Sequence, residues 1–246
     1  HGRSVVERPA ANFWPVDAKR GLLMPYGLAA RQEAIAAFSK RDAERLPAYD
    51  AALERAASVL RAYVLETPPN AGGGIAEWLK GVRVGRRMTR LSLDDQRLLL
   101  DLFTKSASDF LDQWFESDVV KGACAFDGIV GAYAAPTTPG TAYVLLHHCF
   151  GEVNGKAGVW GHAVGGMGAI TQALARSARA AGAVIRPDAL VAMLRADDTR
   201  VTGVVLASGE EIRARAVASN IPPKLLFRAY VPEHLVGDDA RRRFTG

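Results

Sequence analysis

The sequence predicts an α/β fold, of the α+β kind. Three observations point there. Ala-, Leu-, Arg- and Glu-rich text with apolar residues at helical spacing runs from about residue 30 to 115. A Gly-interrupted stretch with one short apolar run follows. The last hundred residues hold one amphipathic helix and then short β-rich segments separated by turn residues. The chain has 246 residues, 49% hydrophobic and 23% charged, which is the composition of a globular domain and enough for one large domain or two small ones. Disordered, collagen-like and coiled-coil chains are excluded, and no apolar run approaches the ~18 residues of a membrane span.

Taken in order, residues 1–30 are an irregular entry segment punctuated by Pro9, Pro15, Gly21, Pro25 and Gly27, with short extended pieces. Residues 30–117 read as a helical lobe. Ile35, Phe38 and Ala43, then Leu53, Ala57, Leu60 and Val64, repeat at helical spacing, with Pro47 dividing two helices or sitting in the first turn of the second. Thr67-Pro68-Pro69-Asn70 and Gly72-Gly73-Gly74 form a firm break before a helix over 75–82. Ser92 followed by Asp95 marks an N-cap for a helix reaching Thr104, and Ser108 is the expected cap of another through Phe115. Leu98, Leu102, Phe103, Phe110, Leu111, Trp114 and Phe115 give these helices a bulky apolar surface, which either lines a tunnel for an apolar substrate or forms the core.

Residues 118–164 read as a mixed-sheet region in which Tyr143–Phe150 is a strand candidate. Residues 165–230 read as a helix from about Ala169 to Ala181, closed by Gly182, then a short extended piece at Val184–Arg186 and a meander of Val191–Ala196, Arg200–Leu206 and Glu211–Ala218 around the Ser208-Gly209 turn. Residues 231–246 are a truncated tail. The chain starts at His1, not Met, without a secretory h-region, so a piece of a longer, cytoplasmic protein is expected.

The formal net charge of +5 is spread along the chain. No dense basic stripe with interleaved aromatics appears, so a nucleic-acid partner is not expected. The looser cluster Lys80, Arg83, Arg86, Arg87 and Arg90 is either a solvated helix face or a peripheral contact with anionic lipid. Two cysteines, Cys124 and Cys149, make no disulfide framework and no CxxC.

The most informative segment runs from Gly161-His162-Ala163-Val164-Gly165-Gly166-Met167-Gly168 through the helix and meander to Ser219-Asn220-Ile221-Pro222-Pro223. It resembles the flavin-dependent oxidoreductases of the phytoene desaturase and amine oxidase type, strongly over 100–230 and more weakly over 1–100. The resemblance implies a two-domain flavoprotein of which this chain is the central, substrate-domain part, with FAD as cofactor and an apolar, carotenoid-like or amine-like small molecule as substrate. It also implies membrane association or homo-oligomers as options. In such proteins Gly165, Gly166, Met167 and Gly168 match a loop at the flavin edge. Val191 matches a position offering backbone groups to the adenine end, and Ser219 and Asn220 match the return toward the cofactor. Physical chemistry supports part of this: glycines before a helix let backbone N–H groups approach an electron-rich ligand. A tight loop that merely needs positive φ explains the glycines equally.

His162, three residues before Gly165, and its neighbour Trp160 are the catalytic-site candidates. His162 would line a substrate cavity or act as acid or base, and Trp160 would form an aromatic wall; a surface histidine and a core tryptophan are the plain alternatives. Adjacent His147 and His148 lack further ligand groups at metal spacing, so no metal is expected. Gly166-Met167-Gly168 imitates a Rossmann fingerprint, but Thr171 stands at the third glycine position. No true fingerprint occurs in the chain, so the chain by itself is expected to bind FAD weakly and to be inactive. A non-catalytic lipid- or protein-binding module derived from the same fold is the alternative reading.

Overall fold

A computed structural model describes residues 4–244. The terminal residues on which the expectation of a longer parent rested lie outside the described residues. The architecture is α+β, with helices and small antiparallel sheets. Two compact units form, one ending at Ala173 and one beginning at Leu174.

In the first unit, β1 (Val5–Glu7) pairs antiparallel with β6 (Gly161–Ala163), and β2 (Ala10–Pro15) with β3 (Gly21–Pro25). Helices α1 (Leu28–Ala36), α2 (Lys40–Arg61), α3 (Ile75–Met88), α4 (Leu93–Thr104), α5 (Ala107–Asp112) and α6 (Asp118–Ala125) follow. A 3-10 helix at Ala142–Phe150 precedes the small β4–β5 pair, Glu152–Val153 with Lys156–Ala157.

Three helices begin with the same device, Ser-x-x-Asp. Ser39, Ser92 and Ser106 each cap their helix by accepting the backbone N–H of Asp42, Asp95 and Asp109, at 3.1, 3.1 and 3.0 Å. Each such cap satisfies a donor that the first helical turn leaves without a partner. The expected start at Ser92 and end at Thr104 are observed. The expected cap at Ser108 is corrected to Ser106, whose side chain also donates to Asp109 Oδ2 at 2.7 Å.

Pro47 neither divides α2 nor sits in its first turn; α2 runs through it. A proline has no N–H for the carbonyl four residues earlier. That carbonyl, on Ala43, accepts instead from Gln32 Nε2 at 2.9 Å, a donor on α1. Tyr143–Phe150 is a 3-10 helix rather than a strand. The helix expected over 75–82 extends to Met88.

The core of this unit is made by Leu22, Ile35, Leu46, Leu102, Phe110, Leu111, Leu145 and Leu146, each no more than 1% exposed. Each such side chain contributes about 1.5–3 kcal/mol by leaving water. Of the bulky residues on α4, on α5 and just after it, Leu102, Phe110, Leu111 and Phe115 are core; Phe103 is half-exposed and stacks on Tyr143 with ring centroids 5.9 Å apart.

Helix α7 (Gly166–Ala180) begins in the first unit, and its later turns belong to the second. It ends with Gly182 N–H on Arg179 O at 2.9 Å and Ala183 N–H on Ala178 O at 3.0 Å, the two bonds of a Schellman closure. Strands β7 (Val191–Ala196), β8 (Val201–Leu206) and β9 (Glu211–Arg213) form the expected antiparallel meander, with β9 shorter than the expected 211–218. Val184–Arg186 is in no strand. Gly203 lies where a Cβ would come within 2.1 Å of Ile212 O, so only glycine lets β9 approach there. Two helices, α8 (Pro223–Leu225, continuing as a π-turn to Tyr230) and α9 (Asp238–Phe244), complete the unit.

Candidate functional site

The first unit holds a half-open cavity of about 360 Å³, at the small end of the range typical of ligand pockets. Six parts of the chain build it. The β2–β3 hairpin supplies Asn12 and Met24, α1 supplies Arg31, and α2 supplies Tyr49, Asp50 and Glu54. Cys124 on α6 with Asp127 beyond it, Cys149, and Trp160 close the remaining sides.

These walls are held by specific contacts. Asp42, fully buried in the first turn of α2, accepts the backbone N–H groups of Glu116 and Ser117, both at 2.9 Å. It thereby ties α2 to the segment that leads into α6. The Tyr49 ring packs edge-on against Trp114 and Phe115, with centroids 5.7 and 4.9 Å away. The Trp160 backbone N–H donates to Tyr26 Oη at 2.9 Å, and its indole lies 5.7 Å from the His147 ring.

The polar lining is acidic on balance. Asp50, Glu54 and Asp127 face one lining cation, Arg31. Arg31 pairs with both Asp50 oxygens, with one of the two bonds at 3.2 Å. Arg61 pairs with Glu54 at 2.6 Å and donates to Cys149 O, also at 2.6 Å. Asn12 Nδ2 donates to Ala123 O at 3.3 Å, while its Oδ1 is buried and accepts nothing among the described residues. An acceptor of this kind costs free energy until a donor reaches it.

Burial pushes the Cys124 thiol up to about 12, helped by the nearby Asp127 charge. It pushes the Cys149 thiol up to about 11, helped by Glu54. Burial likewise lifts the Tyr49 phenol well above its usual value. All three are neutral near pH 7, so the cavity offers thiols and a phenol, not a thiolate nucleophile.

Trp160 is the one residue among the sequence candidates that lines this cavity. His162 lies on β6 opposite Val6, with its side chain exposed. Gly165 and Gly166, at φ 85° and 75°, form the turn into α7, and Gly166, Met167 and Gly168 are its exposed first residues. Val191 starts β7, and Ser219 and Asn220 follow β9 as exposed residues; these three belong to the second unit. The Rossmann imitation is not supported: β6 pairs with β1 and β7 with β8, so the strands either side of α7 share no sheet. Among the described residues no group of three His, Cys, Asp or Glu is placed to hold a metal. Asn12, Arg31, Asp50 and the two cysteines carry no spacing signal, because strand pairing and helix packing bring them together from distant positions.

No protein-family model matches the chain. Curated relatives do. The chain is 35% identical over 222 residues, 87% of its length, to pyridine nucleotide-disulfide oxidoreductase domain-containing protein 2 of Rattus norvegicus, and 34% identical over the same share to the Mus musculus protein of that name. The similarity supports an oxidoreductase-like family. The chain spans 38% of the length of these relatives. An uncharacterized protein of Mycobacterium bovis is 33% identical over 114 residues, 45% of this chain and 21% of that protein.

Proposed function

We propose that the chain is the substrate-domain part of an FAD-dependent oxidoreductase of the phytoene desaturase and amine oxidase type. Its substrate would be apolar or amine-like. The supporting observation is the turn at Gly165–Gly166. Two consecutive residues at positive φ deliver the chain into α7, whose first three residues, Gly166, Met167 and Gly168, are exposed. A Cβ added at Gly166 or Gly168 would meet no atom within 4 Å, so the space over that turn is open. A flat, electron-rich ring fits such a surface, because the first N–H groups of a helix have no partner within it. These residues therefore fit a flavin, and Gly165, Gly166, Met167 and Gly168 would hold it. Bound FAD would accept a hydride, or two electrons, from the substrate.

The chain's own residues would bind and orient that substrate. Trp160 and Tyr49 offer aromatic walls, and burial keeps the two thiols protonated and unreactive. The acidic side chains Asp50, Glu54 and Asp127 of the lining suit a ligand carrying positive charge. A cavity of about 360 Å³ suits a compact amine better than a long polyene. Small molecules rather than nucleic acid are the partners in this reading, in a cytoplasmic protein. No described helix is long and apolar enough to cross a membrane.

The test is to express the chain with its native flanking sequence and record the visible spectrum. A yellow protein releasing FAD on denaturation supports the reading, and a colourless one refutes it. A lipid- or protein-binding module derived from the same fold is the second reading, favoured by the exposed faces of α3.

A further inference from the structure

Helix α3 differs from every other long helix of the first unit. None of its residues is buried. Ile75, Trp78, Leu79 and Val82, spaced i, i+3, i+4 and i+7, are 80%, 67%, 55% and 38% exposed. That spacing places all four on one face. In a helix built to pack on a core, this is the stripe that would be hidden; here it faces outward.

One flank of the stripe is basic. At 100° per residue, Arg83 falls beside the apolar face and Arg86 at its C-terminal end, with Arg90 just beyond the helix in the same direction, while Lys80 and Arg87 lie toward the opposite face. Five basic side chains over residues 75–90 stand against one acidic residue, Glu77. Glu77 is occupied by Lys80 and by the Asn70 backbone N–H at 3.0 Å. Arg87 pairs with Glu66 at 2.8 Å. Arg83, Arg86 and Arg90 make no ion pair among the described residues. In the segment that leads toward the helix, Val64 and Leu65 are 65% and 97% exposed.

A short helix with a wholly exposed apolar stripe, a central Trp, a cationic border and modest mean hydropathy has the design of a helix that lies in a bilayer interface. The stripe would sink into the acyl boundary, Trp78 would sit at headgroup depth, and the arginines would meet lipid phosphates and carboxylates. A protein partner would need a groove shaped to this helix, whereas a bilayer needs only the apolar stripe and the charge. The cationic border selects an anionic surface over a zwitterionic one.

We propose that α3 is a membrane-surface helix that docks the protein on anionic lipid. This rests on α3 and its flanks, so it stands apart from flavin binding. The test is co-sedimentation of the chain with phosphatidylcholine vesicles, with and without phosphatidylserine. The expected result is binding to the phosphatidylserine vesicles that weakens with salt. The double variant Arg83→Gln, Arg86→Gln lowers the partition coefficient about 30-fold, about 5-fold for each basic residue removed. Trp78→Gln with Leu79→Gln also lowers it. The lipid-induced blue shift of tryptophan fluorescence disappears in Trp78→Phe. These side chains are exposed, so far-UV circular dichroism of every variant should match the parent. Binding to neither vesicle, or binding untouched by both double variants, overturns the proposal. So does self-association without lipid that Leu79→Glu abolishes, because the stripe would then be a contact between copies.

Discussion

Asp42 gives the sharpest test of how the cavity is held. Its carboxylate is fully buried and accepts two backbone N–H groups, from Glu116 and Ser117, at 2.9 Å each. Hydrogen bonds to a charged acceptor contribute about 1.5–3 kcal/mol each net of water, so the pair is worth about 3–6 kcal/mol. Glu116 is exposed and Ser117 partly so, and water can reach the donors once the carboxylate is gone. The lower figure therefore applies: Asp42→Ala should cost about 3 kcal/mol, a fall in Tm of roughly 6–12 °C for a chain of this size. Asp42→Asn keeps one acceptor but turns an NH2 toward the second donor, and should fall between. Asp118→Ala, on a side chain 96% exposed, is the control and should leave Tm unchanged. Thermal melts followed by circular dichroism measure all three. A loss below about 1 kcal/mol for Asp42→Ala would show that water replaces the carboxylate, and would refute the view that it joins the two walls.

Three further outcomes follow from the same contacts. Ser106→Ala should cost about 1 kcal/mol in urea unfolding, whereas Ser108→Ala should cost far less, because only Ser106 caps α5. Gly203→Ala should lower stability of the second unit sharply, read by hydrogen exchange at β8 and β9, since the added Cβ would collide with Ile212 O; protection equal to the parent would contradict that geometry. The cysteines should resist iodoacetamide at neutral pH, with native-state labelling rising only as pH approaches about 11 for Cys149 and about 12 for Cys124. Both folded values lie above the ordinary thiol value of 9.0, so the unfolded chain loses these protons first. Their stabilisation is then complete below pH 9 and shrinks as pH climbs toward 11–12, and stability rising across that window would be the wrong sign.

Helix periodicity and local turn chemistry were legible from the sequence; long-range contacts were not. The start of α4 at Ser92, the Gly182 closure of α7 and the β7–β9 meander all depend on residues within a few positions of one another. Ser106-x-x-Asp109 carries the same spacing signal as Ser92-x-x-Asp95, and that shared spacing identifies the true cap better than Ser108 does. The continuity of α2 through Pro47 depends on Gln32, whose amide reaches Ala43 O from another helix, and nothing near Pro47 announces it. The apolar run of 142–150 is short enough for either a strand or a helix. Its 3-10 form goes with Thr141, whose hydroxyl accepts from Ala107 N–H at 2.9 Å and donates to Thr138 O at 2.8 Å. Of the cavity, only Trp160 carries a sequence signal, because it lies beside the glycine-rich segment. Asn12, Arg31 and Asp50 are ordinary surface residue types that become a site only through the packing of β2, α1 and α2.

The measurement that bears most directly on the proposed function compares flavin content in the chain with its native flanks and in the same protein carrying Gly166→Val. Gly166 has φ 75°, where a β-branched residue is strained, and its side-chain direction is open space over the first turn of α7. The expected result is a visible flavin band with FAD bound in the parent, and loss of that band in the variant with the fold retained by circular dichroism. A parent without flavin, or a variant that keeps all of it, would contradict the account.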